Sequence, residues 1–182
     1  EYSASVVEDL VRKVDAGQDS SFVGLFMKDE QSEERRKQDP KGFRRLMRDL
    51  VLNFLIAGRD TTAQCLTWTF FELAQKPAII ARARSEIEAS CGSNEITFSD
   101  LGKLRYVKAI LDEGLRLHPS VPTDGKLAIE ADTLPDGTRI PAGCFVQFNP
   151  YAQGRWEKLW GADCQEFRPE RWLERQRPTS FE

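Results

Sequence analysis

At 182 residues, with 40% hydrophobic and 30% charged side chains, the chain has room for one medium domain with a real core and reads as soluble and globular. A net charge of −3 argues against a nucleic-acid partner, which needs a clustered basic surface. Four scattered cysteines without a CxxC pair, beside a single histidine, exclude a zinc-ligand pattern and suit a reducing compartment. No stretch reaches the ~18 consecutive apolar residues of a membrane helix.

Val6, Val7, Leu10, Val11 and Val14 lay a helical stripe along residues 1–16, closed by Gly17. The sequence thus begins inside an element, without Met or a signal segment, and is expected to be partial. A second short helix is expected over Phe22–Met27. The charged stretch Lys28–Lys41, with Glu33-Glu34-Arg35-Arg36-Lys37, reads as a solvated connection whose acids cancel the field of its bases.

Phe43, Leu46, Met47, Leu50, Val51, Phe54 and Leu55 then recur at three- and four-residue steps. With no proline between Gly42 and Pro77, the spacing predicts one helix over about Gly42–Gln75, about 50 Å long. Leu52 and Ile56 fill the flanks of the stripe, so the helix is expected to be surrounded by protein on most sides. Ala57-Gly58-Arg59-Asp60-Thr61-Thr62 interrupts it. A mid-helix glycine costs up to about 1 kcal/mol, and threonines can bond back to the preceding turn, so the ladder should loosen here. Two readings stand for this stretch: a kink facing a neighbouring loop, or a functional notch where a flat group approaches the backbone between a carboxylate and a hydroxyl.

Pro77 opens a new helix carrying Ile79, Ile80, Ala83 and Ile87 inward, ended by Cys91-Gly92-Ser93-Asn94. Thr97 or Ser99 can cap a turn at Asp100-Leu101. The next helix spans Arg105–Leu117, with Val107, Leu111 and Leu115 as its apolar edge. On it Glu113 and Arg116 share a face, which by itself is the pattern of a solvated surface pair, although Gly114 between them suggests close packing. His118-Pro119 stops the helix, and the lone histidine is read as hydrogen-bonded and structural. From Val121 onward short extended pieces follow, with a hairpin turn at Leu134-Pro135-Asp136-Gly137-Thr138 between strands near Lys126–Ile129, Arg139-Ile140 and Cys144–Phe148. A short helix over Tyr151–Trp156 and an irregular stretch to Leu173 complete the chain.

Ala57-Gly58-Arg59-Asp60-Thr61-Thr62, Glu113-Gly114-Leu115-Arg116 and Phe167-Arg168-Pro169-Glu170-Arg171-Trp172, in this order, resemble the oxygen-binding helix, the Glu-x-x-Arg helix and the Pro-Glu-Arg-aromatic segment of the cytochrome P-450 (haem-thiolate monooxygenase) family. Val121-Pro122 to Lys126, the Leu-Pro-Asp-Gly-Thr hairpin and Tyr151–Arg155 ahead of Trp160-Gly161 are similar to its fatty-acid ω-hydroxylase branch. The resemblance implies a mainly α fold with small β-sheets (α+β). Residues 1–182 would form a single partial domain, helical over 1–120 and strand-rich and irregular over 121–182.

It further implies a haem lying against Ala57 and Gly58, with Asp60 and Thr61 relaying protons to bound dioxygen and Thr61 also touching the cofactor. Lys126 falls where many members pair an arginine with a haem propionate, and Val121, Thr123, Asp124 and Gly125 would face the substrate. Glu113, Arg116 and Arg171 would form a buried structural charge cluster. The implied partners are an NADPH-dependent flavoprotein reductase, docking near Lys103, Arg105 and Lys108, and a small lipophilic, fatty-acid-like substrate. The implied location is the cytosolic face of the endoplasmic reticulum membrane.

One departure matters: the family's Phe-x-x-Gly-x-Arg-x-Cys-x-Gly loop is absent, and Cys65, Cys91, Cys144 and Cys164 sit in nothing like it. Without the axial thiolate the segment alone is expected to be inactive, its ligand lying outside this sequence. A haem-free helical interaction module or a degenerate remnant that kept the fold but lost catalysis, or else a small soluble lipid-binding domain, stands as the alternative to an enzyme segment.

Overall fold

Pro40 starts the longest element because it needs no backbone donor at a helix's first position, and because Asp39 Oδ1 accepts a hydrogen bond from the amide of Gly42 at 2.9 Å. In the computed structural model, which describes residues 5, 8, 9, 12, 13, 24, 30–92 and 96–174, this helix runs over Pro40–Ala74. The helix before it, α1, spans Glu30–Gln38, and the long helix is α2. The expected helices over 1–16 and 22–27 fall largely outside the described residues.

α1 corrects the solvated connection expected over residues 28–41. Its side chains are mostly exposed, but Gln38 Nε2 donates to Glu34 Oε1 at 3.1 Å and Lys37 lies 3.9 Å from Glu33, one turn apart. Such i,i+4 pairs support a helix that has no apolar stripe to reveal it. α2 corrects a second expectation: it continues as α-helix through Gly58, Thr61 and Thr62 without a break. The cost of one glycine is small beside the hydrogen bonds of 35 residues.

A third expectation, that α2 is enclosed on most sides, also fails. Phe43, Met47 and Val51 are buried, but residues 53–60 are exposed, Ile56 at 66%. The stripe at Phe43, Met47 and Val51 is where the packing lies, and the flanking apolar residues beyond it are uncovered in this chain.

Beyond α2, α3 spans Pro77–Cys91 with proline again in its first turn, and Gly92 ends it at φ +62°. A 3₁₀ turn over Phe98–Lys103 carries a capping box between Thr97 and Asp100. α4 spans Arg105–Leu117. Its first amides, those of Tyr106 and Val107, donate to the Glu86 carboxylate of α3 at 2.8–2.9 Å, so an acid from a neighbouring helix satisfies its N-terminus.

Two small antiparallel sheets follow. β1 (Asp124–Leu127) pairs with β4 (Phe145–Phe148), Asp124 opposite Phe148 and Leu127 opposite Phe145. Between them in sequence, β2 (Asp132–Thr133) and β3 (Arg139–Ile140) form the hairpin whose turn places Gly137 at φ +87°. Val121 and Pro122 belong to no strand. Short helices α5 (Pro150–Gln153), α6 (Glu157–Trp160) and α7 (Arg171–Glu174) end the described chain.

The chain divides into two units, residues 1–60 and 61–182. In the second, Tyr106, Ile110, Leu117 and Phe167 make a buried core with Leu73, Ile79, Ala83 and Leu173 against it. The expected apolar edge of α4 is therefore the wrong one: Leu115 is 42% exposed, while Tyr106, Ala109, Ile110, Glu113, Gly114, Arg116 and Leu117 are buried. Ionic residues on the buried face hid it from a search for apolar periodicity.

Gly114 sets how closely α4 approaches α2. A Cβ there would collide with Oγ1 of Thr69, a buried hydroxyl without a hydrogen-bond partner. Gly114→Ala is expected to lower the stability of the chain by about 1–3 kcal/mol through overpacking. Adding Thr69→Ala should recover most of that loss in urea denaturation. Equal stability of Gly114→Ala and the parent would contradict the close approach.

Candidate functional site

Glu113 is completely buried, and an ionised carboxylate without water must be met by donors. It accepts five hydrogen bonds: Arg116 Nε and Trp172 Nε1 donate to Oε2, and Arg116 Nη2, the Arg168 amide and Arg171 Nε donate to Oε1, all at 2.8–2.9 Å. Burial works to raise the Glu113 pKa, but the bonds from Arg116, Arg168 and Arg171 outweigh it and hold the carboxyl below the ordinary glutamate value.

The two guanidiniums are as fully used. Arg116 spends its remaining donors on carbonyls: Nη1 on those of Gly154 and Cys164, and Nη2 on that of Glu166 at 2.9 Å. Its five N–H groups thus all have acceptors. Arg171 reaches both carboxylate oxygens and the carbonyl of Asp163 at 3.0–3.2 Å. Asp163 in turn takes a bond from Arg168 Nε at 2.8 Å, and Arg168 Nη1 bonds Glu174 at 2.9 Å. The cluster therefore alternates in charge, and residues 154–170, which have little regular structure, are held by their carbonyls instead of by a ladder.

A second carboxylate fastens the same segment to α3. Glu170 Oε1 accepts from Tyr106 Oη at 2.7 Å and from Arg82 Nη1 at 2.9 Å, and the Arg82 guanidinium lies over the Tyr106 ring, 4.1 Å from its centroid. Burial, reinforced by the Glu170 carboxylate, pushes the Tyr106 pKa up to about 12.

The structure thus brings Glu113, Arg116 and Arg171 together and corrects the surface-pair reading of Glu113 and Arg116, because the α4 face that carries them is buried. Sequence reasoning missed Trp172, Asp163 and the Arg168 amide. The indole N–H at the aromatic place of Pro-Glu-Arg-Trp was the one available signal, since a buried tryptophan needs an acceptor.

On α2, Ala57 and Asp60 are exposed and Thr61 is half-buried. A Cβ placed on Gly58 would meet nothing within 4 Å, so this side of the helix is open for a flat group. Thr61 offers its carbonyl to Ser120, whose Oγ donates at 2.8 Å. His118 Nε2 lies 2.9 Å from Glu72 Oε1, and its ring stacks on Trp68 with centroids 4.5 Å apart.

Lys126, on β1 opposite Val146, is exposed, as are Val121, Thr123 and Asp124. Asp124 Oδ1 accepts from the neighbouring Gly125 amide at 2.7 Å. Of the basic residues proposed for docking, Lys103 pairs with Asp100 at 2.8 Å and Lys108 with Asp112 at 2.9 Å. Cys164 is buried beside the charge cluster and Cys65 lies on α2; all four cysteines are free of disulfides. Among the described residues no group of three or more histidines, cysteines or acids is placed to hold a metal ion. The open side of Gly58 leaves room for the flank of a haem.

A helix-rich chain whose buried Glu-x-x-Arg helix is bonded to a Pro-Glu-Arg segment has the scaffold of a haem-thiolate protein. The family model described as Cytochrome P450 matches residues 1–181. Cytochrome P450 CYP94D109 of Paris polyphylla is 34% identical over 185 aligned residues, covering 96% of this chain and 35% of the relative. Cytochrome P450 52A5 of Candida maltosa is 40% identical over 154, covering 77% of this chain and 28% of the relative. The crystal structure of a cytochrome P450, CYP102L1, superposes with a TM-score of 0.64 at 31% identity, over 70% of this chain and 30% of that one. The chain belongs to the cytochrome P450 family, whose members carry a thiolate-ligated haem, and it spans about a third or less of the length of these relatives.

Replacing Glu113 by Gln keeps the shape but leaves Arg116 without a carboxylate partner and Arg171 with that of Asp163 alone. Glu113→Gln is expected to cost about 3–5 kcal/mol, and Trp172→Phe, which removes one donor, about 1 kcal/mol, both read from urea unfolding. Equal losses for the two variants would contradict the central place of the carboxylate.

Proposed function

We infer that this chain works within a haem-dependent monooxygenase that inserts one oxygen atom of O2 into a C–H bond of a fatty-acid-like substrate. The observation that carries the reading is the Glu113 cluster on a chain that also holds the Ala57–Thr62 stretch in the family's order. When bound, the haem supplies the activation of dioxygen, with electrons from NADPH through a flavoprotein reductase. Its thiolate ligand comes from outside these 182 residues.

The chain's own residues then have distinct tasks. Ala57 and Gly58 leave the helix backbone accessible to the flat face of the cofactor. The Thr61 hydroxyl holds water and passes its proton inward, and Asp60, facing solvent, resupplies protons. Lys126 offers an ammonium to an anionic side group of the cofactor, as a point charge and not a two-pronged donor. Glu113, Arg116 and Arg171 hold the segment before the ligand loop in place. Val121, Thr123 and Asp124 border the substrate.

The resemblance of Val121–Lys126 and the 134–138 hairpin to ω-hydroxylases supports a fatty-acid substrate. The cytosolic face of the endoplasmic reticulum membrane is the matching location. Among the described residues no helix is long and apolar enough to cross a membrane. A reductase would dock near Lys103, Arg105 and Lys108, and residues 1–182 would form one partial domain.

Thr61→Ala in the complete enzyme should leave haem content and substrate binding nearly unchanged, while most NADPH consumed yields hydrogen peroxide in place of hydroxylated fatty acid. Product and peroxide counted against NADPH check this. Well-coupled hydroxylation by the variant would reject the role of Thr61.

A further inference from the structure

From Thr61 to Trp68 no side chain of α2 is fully buried, so packing does little to fix the turn that carries the proposed proton-positioning hydroxyl. The next fully buried position is Thr69, two turns on. A tertiary hydrogen bond does reach this turn, from Ser120 Oγ to the Thr61 carbonyl at 2.8 Å. A helical carbonyl already accepts the amide four residues on and retains a second lone pair, so the bond adds to the ladder without breaking it.

The residues leading into Ser120 are themselves held. Arg155 Nη1 donates to the carbonyl of Leu117, and His118 bonds Glu72 and stacks on Trp68. Pro119 stiffens the link between His118 and Ser120. The segment after α4 is thus a strap across the second half of α2, anchored at its root by the Glu113 cluster and touching α2 at Glu72, Trp68 and Thr61.

We propose that Ser120 is a positioning residue for oxygen activation: its hydroxyl pins the backbone of Thr61, fixing where the Thr61 side chain presents its proton. This rests on the reading of Thr61 given above. Ser120 touches neither cofactor nor substrate in this role, and its effect passes through one carbonyl.

The test compares Ser120→Ala, Ser120→Thr and Thr61→Ala in the complete haem-loaded enzyme with dodecanoic acid, measuring peroxide per NADPH and hydrogen exchange of the amides of residues 61–69. Ser120→Ala should raise the peroxide share toward that of Thr61→Ala. It should also speed exchange of the Cys65 amide, the partner of the Thr61 carbonyl, by about five-fold, the equivalent of one ordinary hydrogen bond. Ser120→Thr, which keeps a hydroxyl, should restore both. If Thr61→Ala uncouples while Ser120→Ala stays coupled, or if exchange at Cys65 is unchanged, the role of Ser120 is overturned. If Thr61→Ala itself stays coupled, the reading of Thr61 falls and this inference with it.

Discussion

One carboxylate, taken wholly out of water, constrains the larger unit of this chain. An isolated buried charge is costly enough that it either neutralises or collects partners, and Glu113 has collected five donors from four residues. Three of those residues, Arg168, Arg171 and Trp172, lie more than fifty positions away in sequence, so satisfying the charge determines where their segment must run. The guanidinium of Arg116 extends the same constraint to Gly154, Cys164 and Glu166. A stretch with few helical turns and no strands can therefore hold a definite path, because its carbonyls answer a donor that has nowhere else to go. Removing any one partner leaves the others desolvated, which makes such a cluster cooperative.

The same helix transmits this order toward α2. Gly114 lets the two helices approach until the α4 backbone meets Thr69, and the residues that leave α4, His118 and Ser120, grip α2 at Glu72, Trp68 and Thr61. Glu72 is shared between His118 and Lys76. Burial would raise its pKa, yet those two bonds draw it below the ordinary range. A structural cluster and a proposed chemical residue are thereby joined through a few short contacts inside one unit.

Much of this was legible in the sequence. Prolines and 3.6-residue patterning marked Pro77 as a helix start and placed α4 at Arg105–Leu117, and Pro-Asp-Gly marked the hairpin. The start of α2 at Pro40 depends on the Asp39 cap, a one-residue signal inside a charged stretch. α1 had no apolar stripe to declare it. The buried face of α4 was hidden because Glu113, Gly114 and Arg116 occupy it, and hydrophobic periodicity is blind to ions that carry their own partners. Ser120 and Asp163 were invisible for another reason: their importance lies in contacts made across 59 and 8 positions, which no local pattern encodes.

The most direct measurement is the titration of the Glu113 side-chain carboxyl by carbon-13 NMR. A carboxyl whose folded pKa is depressed contributes stability that is fully present above its unfolded value, near 4.5, and is lost as pH falls through the lower folded value. The account predicts that the Glu113 resonance stays that of an ionised carboxylate as pH falls through 4.5, and changes only at lower pH as the fold gives way. Protonation of Glu113 at or above 4.5 in the folded chain would contradict it.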